Sequence, residues 1–149
     1  MILFLDIDGV LHPDPAKAVD AFCRRYLLWK MLVARPQLRV VISSDWRLHH
    51  PLPELAAWIT KGGGEALAPR IVGVTPVLQG TRHGYRGREK ECLVWLEENA
   101  SESWLALDDV ASNFTFGTSH LCLIDYRTGL IEADVETLLA RVPLEPCQE

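Results

Sequence analysis

Residues 1–13 read MILFLDIDGVLHP, an apolar run that ends on two carboxylates, Asp6 and Asp8. In an extended strand, residues i and i+2 share a face. The two acids therefore start out on one side and repel unless a cation or a shared proton intervenes. A polar turn through Asp8-Gly9 is the plainer reading. A built anionic site is the sharper one, and the rest of the chain decides between them.

The chain has 149 residues, of which 48% are hydrophobic, and its mean hydropathy is +0.06. These values suit one globular domain over 1–149 with a sizeable core. The formal charge of −5 argues against non-specific attraction of the whole molecule to nucleic acid, leaving only a local basic patch open. Cys23, Cys92, Cys122 and Cys147 form no CxxC pair. They read as reduced thiols of a cytoplasmic protein. The opening stretch is too short for a signal peptide, and no run is long enough to span a bilayer, so no membrane partner is expected.

Residues 2–7 form a continuous apolar run, the pattern of a buried parallel strand. Apolar residues at Ala18, Phe22, Tyr26, Leu27 and Met31 predict a helix over 16–34, ended by Pro36. RVVISS at 39–44 is a second buried strand, and 53–61 reads as a helix that stops at Gly62-Gly63-Gly64. RIVGVTPVL at 70–78 is β-like but broken by Gly73 and Pro76, an edge strand or a loop. A helix follows over 88–99, with Cys92, Leu93, Trp95 and Leu96 inward. WLALD (104–108) and LCLID (121–125) are further strands, and a last helix covers 132–142. Strands alternating with helices imply a doubly wound α/β domain with a mostly parallel sheet.

Three of these strands share one habit. The first ends in Asp6 and Asp8, the second in Ser43 and Ser44, and the WLALD strand in Asp108 and Asp109. In an open parallel sheet the carboxyl ends line the ligand crevice, so this pattern favours a site over unrelated turns. Carboxylates without His or Cys partners are hard oxygen ligands of the kind magnesium prefers. The five histidines lack HxH or HExxH spacing and read as surface or capping residues. No GxSxG elbow, GxxxxGK[ST] loop or GxGxxG fingerprint is present.

The chain resembles phosphatases of the haloacid dehalogenase (HAD) superfamily, whose fold is a Rossmann-like parallel sheet. DIDGV at 6–10 is similar to the first motif, DxDG[VT], and VVISS at 40–44 to the second. ALDD at 106–109 resembles the acidic fourth motif, and Arg88 and Lys90 both qualify as the basic third. ISSDWR, RGREKECLVWL and WLALDD narrow the likeness to small HAD domains associated with RNA-repair proteins.

The resemblance implies that Asp6 attacks phosphorus and that Asp8 protonates the leaving oxygen and later activates water. A neighbouring like charge is expected to raise the pKa of Asp8 toward that role. It also implies magnesium held by Asp6, the backbone carbonyl of Asp8 and a fourth-motif acid, with Asp109 favoured as direct ligand and Asp108 behind it. Many members carry a further Asp four residues after the metal acid; here that position is Asn113. Ser43 or Ser44 would donate to a phosphoryl oxygen, and Arg88 or Lys90 would neutralise the transferring group.

The spacing leaves no room for a large cap domain. An open crevice resembles members acting on large substrates, such as nucleic-acid ends. Gly9, Arg47, Arg82 and Arg86 are the expected substrate contacts, with Tyr85 placed to stack on a base. A small-molecule phosphatase for nucleotides or sugar phosphates, or a phosphoacceptor module without turnover, are the other classes. Asp8 argues for turnover, because a mere phosphoacceptor needs no acid/base two residues on.

Overall fold

The computed structural model describes residues 1–17, 21–80, 84–101 and 103–145. Five strands, β1 (Ile2–Leu5), β2 (Arg39–Ile42), β3 (Ile71–Val74), β4 (Trp104–Asp108) and β5 (Leu121–Leu123), form one sheet. Their order is β3-β2-β1-β4-β5 and every pairing is parallel. The helices are α1 (Arg25–Ala34), α2 (Leu52–Thr60), α3 (Gly87–Glu98) and α4 (Glu132–Arg141). The strand order reverses about β1, as expected for its central place in a doubly wound α/β fold. Among the described residues no folded cap is inserted.

The pleat divides the core. Leu3, Leu5, Val40, Ile42, Leu105 and Leu107 pack beneath residues of α1, α2 and α4. Ile2, Phe4, Val41, Trp104 and Ala106 face the other way, against Cys92 and Leu96 of α3. Sequence-adjacent residues thus go to opposite layers, as a strand period of two requires. Phe4 is fully buried and meets the edges of Trp95 and Trp104 at centroid distances of 6.0 and 5.7 Å.

Two expectations about the helices need correcting. The helix predicted over 16–34 begins only at Arg25, and Ala18 lies outside the described residues. Phe22 takes a left-handed φ of 59°, and its amide donates to the His12 ring, so 21–24 folds over the first turn instead of extending the helix. Tyr26 is correspondingly 41% exposed. Leu93, expected inward, is also 41% exposed, because buried Glu89 and Glu91 take part of the inner face of α3. The 70–78 segment is an edge strand whose register slips near Gly73, where the Trp95 indole leaves little room for a side chain.

Phe4→Ala is expected to destabilise the fold by about 3–5 kcal/mol, since a buried aromatic leaves a cavity between two tryptophans. Phe4→Leu should cost clearly less. Urea unfolding of the two variants checks the ranking.

Candidate active site

Alternation along the strands builds the site. Phe4, Val41 and Ala106 face α3, so two residues further on Asp6, Ser43 and Asp108 lie on that same side. The register Leu5↔Ile42 and Leu5↔Leu107 sets these three side by side. Asp6, Asp108 and Asp109 each bring a carboxylate oxygen to within 4.8 Å of the others. Asp6, Ser43, Ser44 and Asp108 are buried, and Asp109 is half-buried.

Burial raises the pKa of Asp6 well above its ordinary value, and the charges of Asp108 and Asp109 add to this. Burial also pushes Asp108 up to about 6, against the pull of Arg88 and the Val110 amide. Asp109 is raised chiefly by burial too, while a hydrogen bond with Asp6 works the other way. Carboxylates in such surroundings share protons or take up a cation.

Arg88 supplies the opposing charge. One residue turns a helix by about 100°, so Lys90 stands nearly opposite Arg88 and only one of the two can face the sheet. It is Arg88, with Nε 3.8 Å from Asp108 Oδ2 and an Nη atom 3.9 Å from Asp45. Lys90 is exposed. Burial works against the Arg88 charge, but Asp6, Asp108, Asp45 and Glu91 outweigh it and hold its pKa above the ordinary value.

Asp8 is turned elsewhere. After Leu5 the chain makes one helical turn, with the amides of Val10 and Leu11 donating to the Ile7 carbonyl. The exposed Asp8 carboxylate accepts from His12 Nε2 at 2.7 Å and from Trp46 Nε1 at 3.1 Å. The Phe22 amide donates to His12 Nδ1 at 3.1 Å, which leaves the ring proton on Nε2, facing Asp8. Hydrogen bonding to His12 lowers the Asp8 pKa, against the rise expected from a like neighbour. His12 is buried and was read from sequence as a surface or capping residue. Its i+4 spacing from Asp8 across the turn was the available signal.

Gly9 has a φ of +74°, and a Cβ there would collide with the Asp109 carboxylate. Its role is to let that acid approach the turn. Ser44 Oγ accepts from the Trp46 amide at 3.3 Å and caps the turn Asp45–Leu48. Ser43 lies on the acid-bearing side. Arg47, expected on substrate, points inward instead. It donates to the carbonyls of Ser43, Ser44, Thr75 and Pro76 and pairs with buried Glu91 at 2.6 Å. Arg86 is paired with Glu89 at 2.6 Å, and Arg82 lies outside the described residues. Tyr85 is exposed, its hydroxyl accepting from the Phe116 amide at 2.9 Å.

Among the described residues, three buried side-chain atoms have no hydrogen-bond partner: Arg88 Nη1, Asp108 Oδ2 and Thr75 Oγ1. All three residues stand at the carboxyl edge of the sheet or face it. Thr75, just past β3, was not singled out from sequence. Buried polar groups are nearly always satisfied, so this concentration marks a place shaped for a ligand. A hard divalent cation fits the all-carboxylate donor set and the orphaned Asp108 oxygen.

A parallel sheet with its acids at the β1/β4 switch point defines a HAD-type domain. Comparison with protein families agrees: the family described as "HAD domain in Swiss Army Knife RNA repair proteins" matches residues 2–135, and the chain belongs to it. Comparison with curated proteins and with solved structures found no match. No helix among the described residues is long and apolar enough to cross a membrane.

Two outcomes follow from the geometry. Gly9→Ala should destabilise the fold by about 1–3 kcal/mol, because its φ is left-handed and the new Cβ meets the Asp109 carboxylate, as urea unfolding would show. Arg47→Ala should destabilise the fold by about 3–5 kcal/mol by leaving buried Glu91 unpaired. Unchanged stability with a raised KM would return Arg47 to the substrate.

Proposed function

We propose that this domain is a magnesium-dependent phosphomonoesterase working through an aspartyl-phosphate on Asp6, with an open crevice suited to a nucleic-acid end. The observation that carries this reading is the orphaned pair in the crevice, Arg88 Nη1 and Asp108 Oδ2. One is a donor and the other an acceptor, and a phosphoryl group accompanied by its cation would satisfy both.

Asp6, Asp109 and Asp108 would hold the cation, together with the Asp8 backbone carbonyl. When bound, magnesium screens the nucleophile from the phosphate and stabilises charge in the transition state. The Asp6 carboxylate oxygen attacks phosphorus, and the bond from phosphorus to the leaving oxygen breaks. Asp8 delivers the proton that this oxygen takes up. Water then attacks the phosphoryl group, Asp8 accepts its proton, and the bond to Asp6 breaks to release inorganic phosphate. Ser43 and Arg88 orient and neutralise the phosphoryl oxygens; Ser44, already capping a turn, and exposed Lys90 fit less well.

A module that only accepts phosphate fits less well too, because Asp8 has its own hydrogen-bonded position outside the acid cluster. The absence of a folded cap among the described residues supports a large substrate over a small metabolite. Free thiols at Cys23, Cys92 and Cys122 agree with a reducing, cytoplasmic setting.

Asp6→Asn should abolish turnover on every substrate. Asp8→Asn should lose about 10²–10⁴-fold on alkyl or ribose phosphates, where the leaving oxygen needs a proton. With an activated aryl phosphate, attack should partly survive and labelled phospho-enzyme should accumulate. Full activity in a folded Asp6→Asn protein, or in excess chelator, would sink the proposal.

A further inference from the structure

A pocket of about 240 Å³ opens beside the reaction centre, lined by Asp8, Asp45, Trp46, His49 and His50. Asp8, Asp45 and Trp46 come from the DIDGV and ISSDWR stretches, but the motif roles leave the pocket itself without an occupant. We infer that it is a leaving-group subsite that takes the nucleoside attached to the transferred phosphate. This inference rests on the phosphatase reading and adds what stands on the far side of the bond being broken.

Position comes first. Asp8, the proposed proton donor to the leaving oxygen, is one wall of the pocket, so whatever carries that oxygen must extend along it. Asp45 is another wall and reaches to within 3.9 Å of Arg88, which ties the pocket to the phosphoryl side. The pocket is smaller than the roughly 300–1,000 Å³ that encloses a drug-sized ligand. It suits one sugar and one ring system.

Chemistry narrows the occupant further. The lining holds two carboxylates and no Lys or Arg, so a leaving group with further phosphates is repelled there. An uncharged group bearing hydroxyls and amino hydrogens is favoured, since carboxylates accept from both. Three of the five lining residues are aromatic. Trp46 is held by its N–H bond to Asp8 and by packing against His12, Phe22 and Trp58. His50 lies against Trp46 at a centroid distance of 5.6 Å and bonds Glu54 at 3.1 Å. These rings form a fixed surface on which a base stacks without sequence preference. A sugar alone would use the acids but leave the ring faces uncovered.

The nucleoside has two possible sources: a free nucleoside monophosphate, or the terminal residue of a strand whose next phosphate lies outside the pocket. Two matched pairs separate them. The first compares 5′-AMP with ribose 5-phosphate. The second compares end-phosphorylated oligonucleotides whose terminal residue carries a base or is abasic. With magnesium, kcat/KM should favour the base-bearing member of at least one pair by about 5–100-fold, the range stacking on an aromatic ring supplies. The pair that shows the preference names the source. His49→Ala should shrink that ratio severalfold.

Equal kcat/KM within both pairs overturns the subsite and leaves the phosphatase reading standing. Hydrolysis of none of the four sinks the phosphatase reading instead. Binding then decides the subsite. In the magnesium-loaded protein, 5′-AMP or the base-terminated strand, but not its base-less partner, should shift the Trp46 indole N–H resonance, assigned with Trp46→Phe. No shift overturns it.

Discussion

Asp6, just past the end of β1, and Asp108, at the end of the neighbouring parallel β4, lie side by side on one face, with Asp109 beside them. Like charges this close in a buried place cannot all stay ionised without compensation. Arg88 is the cation that reaches them, and Asp45 and Glu91 also draw on its charge. The sign of the consequence is fixed. Asp108 has its pKa raised to about 6, so the folded chain binds its proton more tightly than the unfolded chain does. Its contribution is fully present below the unfolded value near 4 and is lost as pH rises through about 6. At neutral pH the crowded charge of the cluster therefore opposes folding, and a cation that bound the native state alone would offset this by mass action.

The same constraint explains why the two acids of the opening stretch behave differently. Strand alternation would have kept Asp8 beside Asp6, but β1 ends at Leu5 and the following turn swings Asp8 out. Buried Asp6 is raised by its surroundings, while exposed Asp8 is lowered by His12. Two identical side chains two residues apart thus receive opposite environments. These shifts run opposite to those that favour an ionised nucleophile at Asp6 and a protonated acid at Asp8, so the proposed roles rest on position instead.

The legible parts of the sequence were those governed by period and strand ends. Buried runs announced the strands, and the acids at strand ends announced the grouping of Asp6, Asp108 and Asp109. The polar interior of α3 was not legible. Glu89 and Glu91 look like ordinary solvated helix residues, yet both are buried against partners from other loops, Thr115 and Arg47. The inward pairing of Arg47 was hidden for the same reason: its partners, four backbone carbonyls and Glu91, come close only on folding. His12 was hidden because its partners, Asp8 and the Phe22 amide, meet only when residues 21–24 abandon the helix that their apolar spacing suggested.

Helix α3 carries most of these buried polar links. At about 100° per residue, Glu91, Arg88, Cys92, Leu96 and Glu89 fall within one inward arc, with Leu93 past its edge and Lys90 opposite. That arc does three separate things. Arg88 meets the acid cluster, Glu89 fixes the loop after β4 through the Thr115 amide and hydroxyl, and Glu91 fixes Arg47. Arg47 in turn holds the carbonyls of Ser43 and Ser44 after β2 and of Thr75 and Pro76 after β3. One helix therefore sets the positions of the loops that follow three different strands, through buried polar links. Apolar packing alone would leave those loops free to slide. The same helix holds Arg88, whose Nη1 has no hydrogen-bond partner, against Asp108, so that donor and the orphaned Asp108 oxygen keep fixed places.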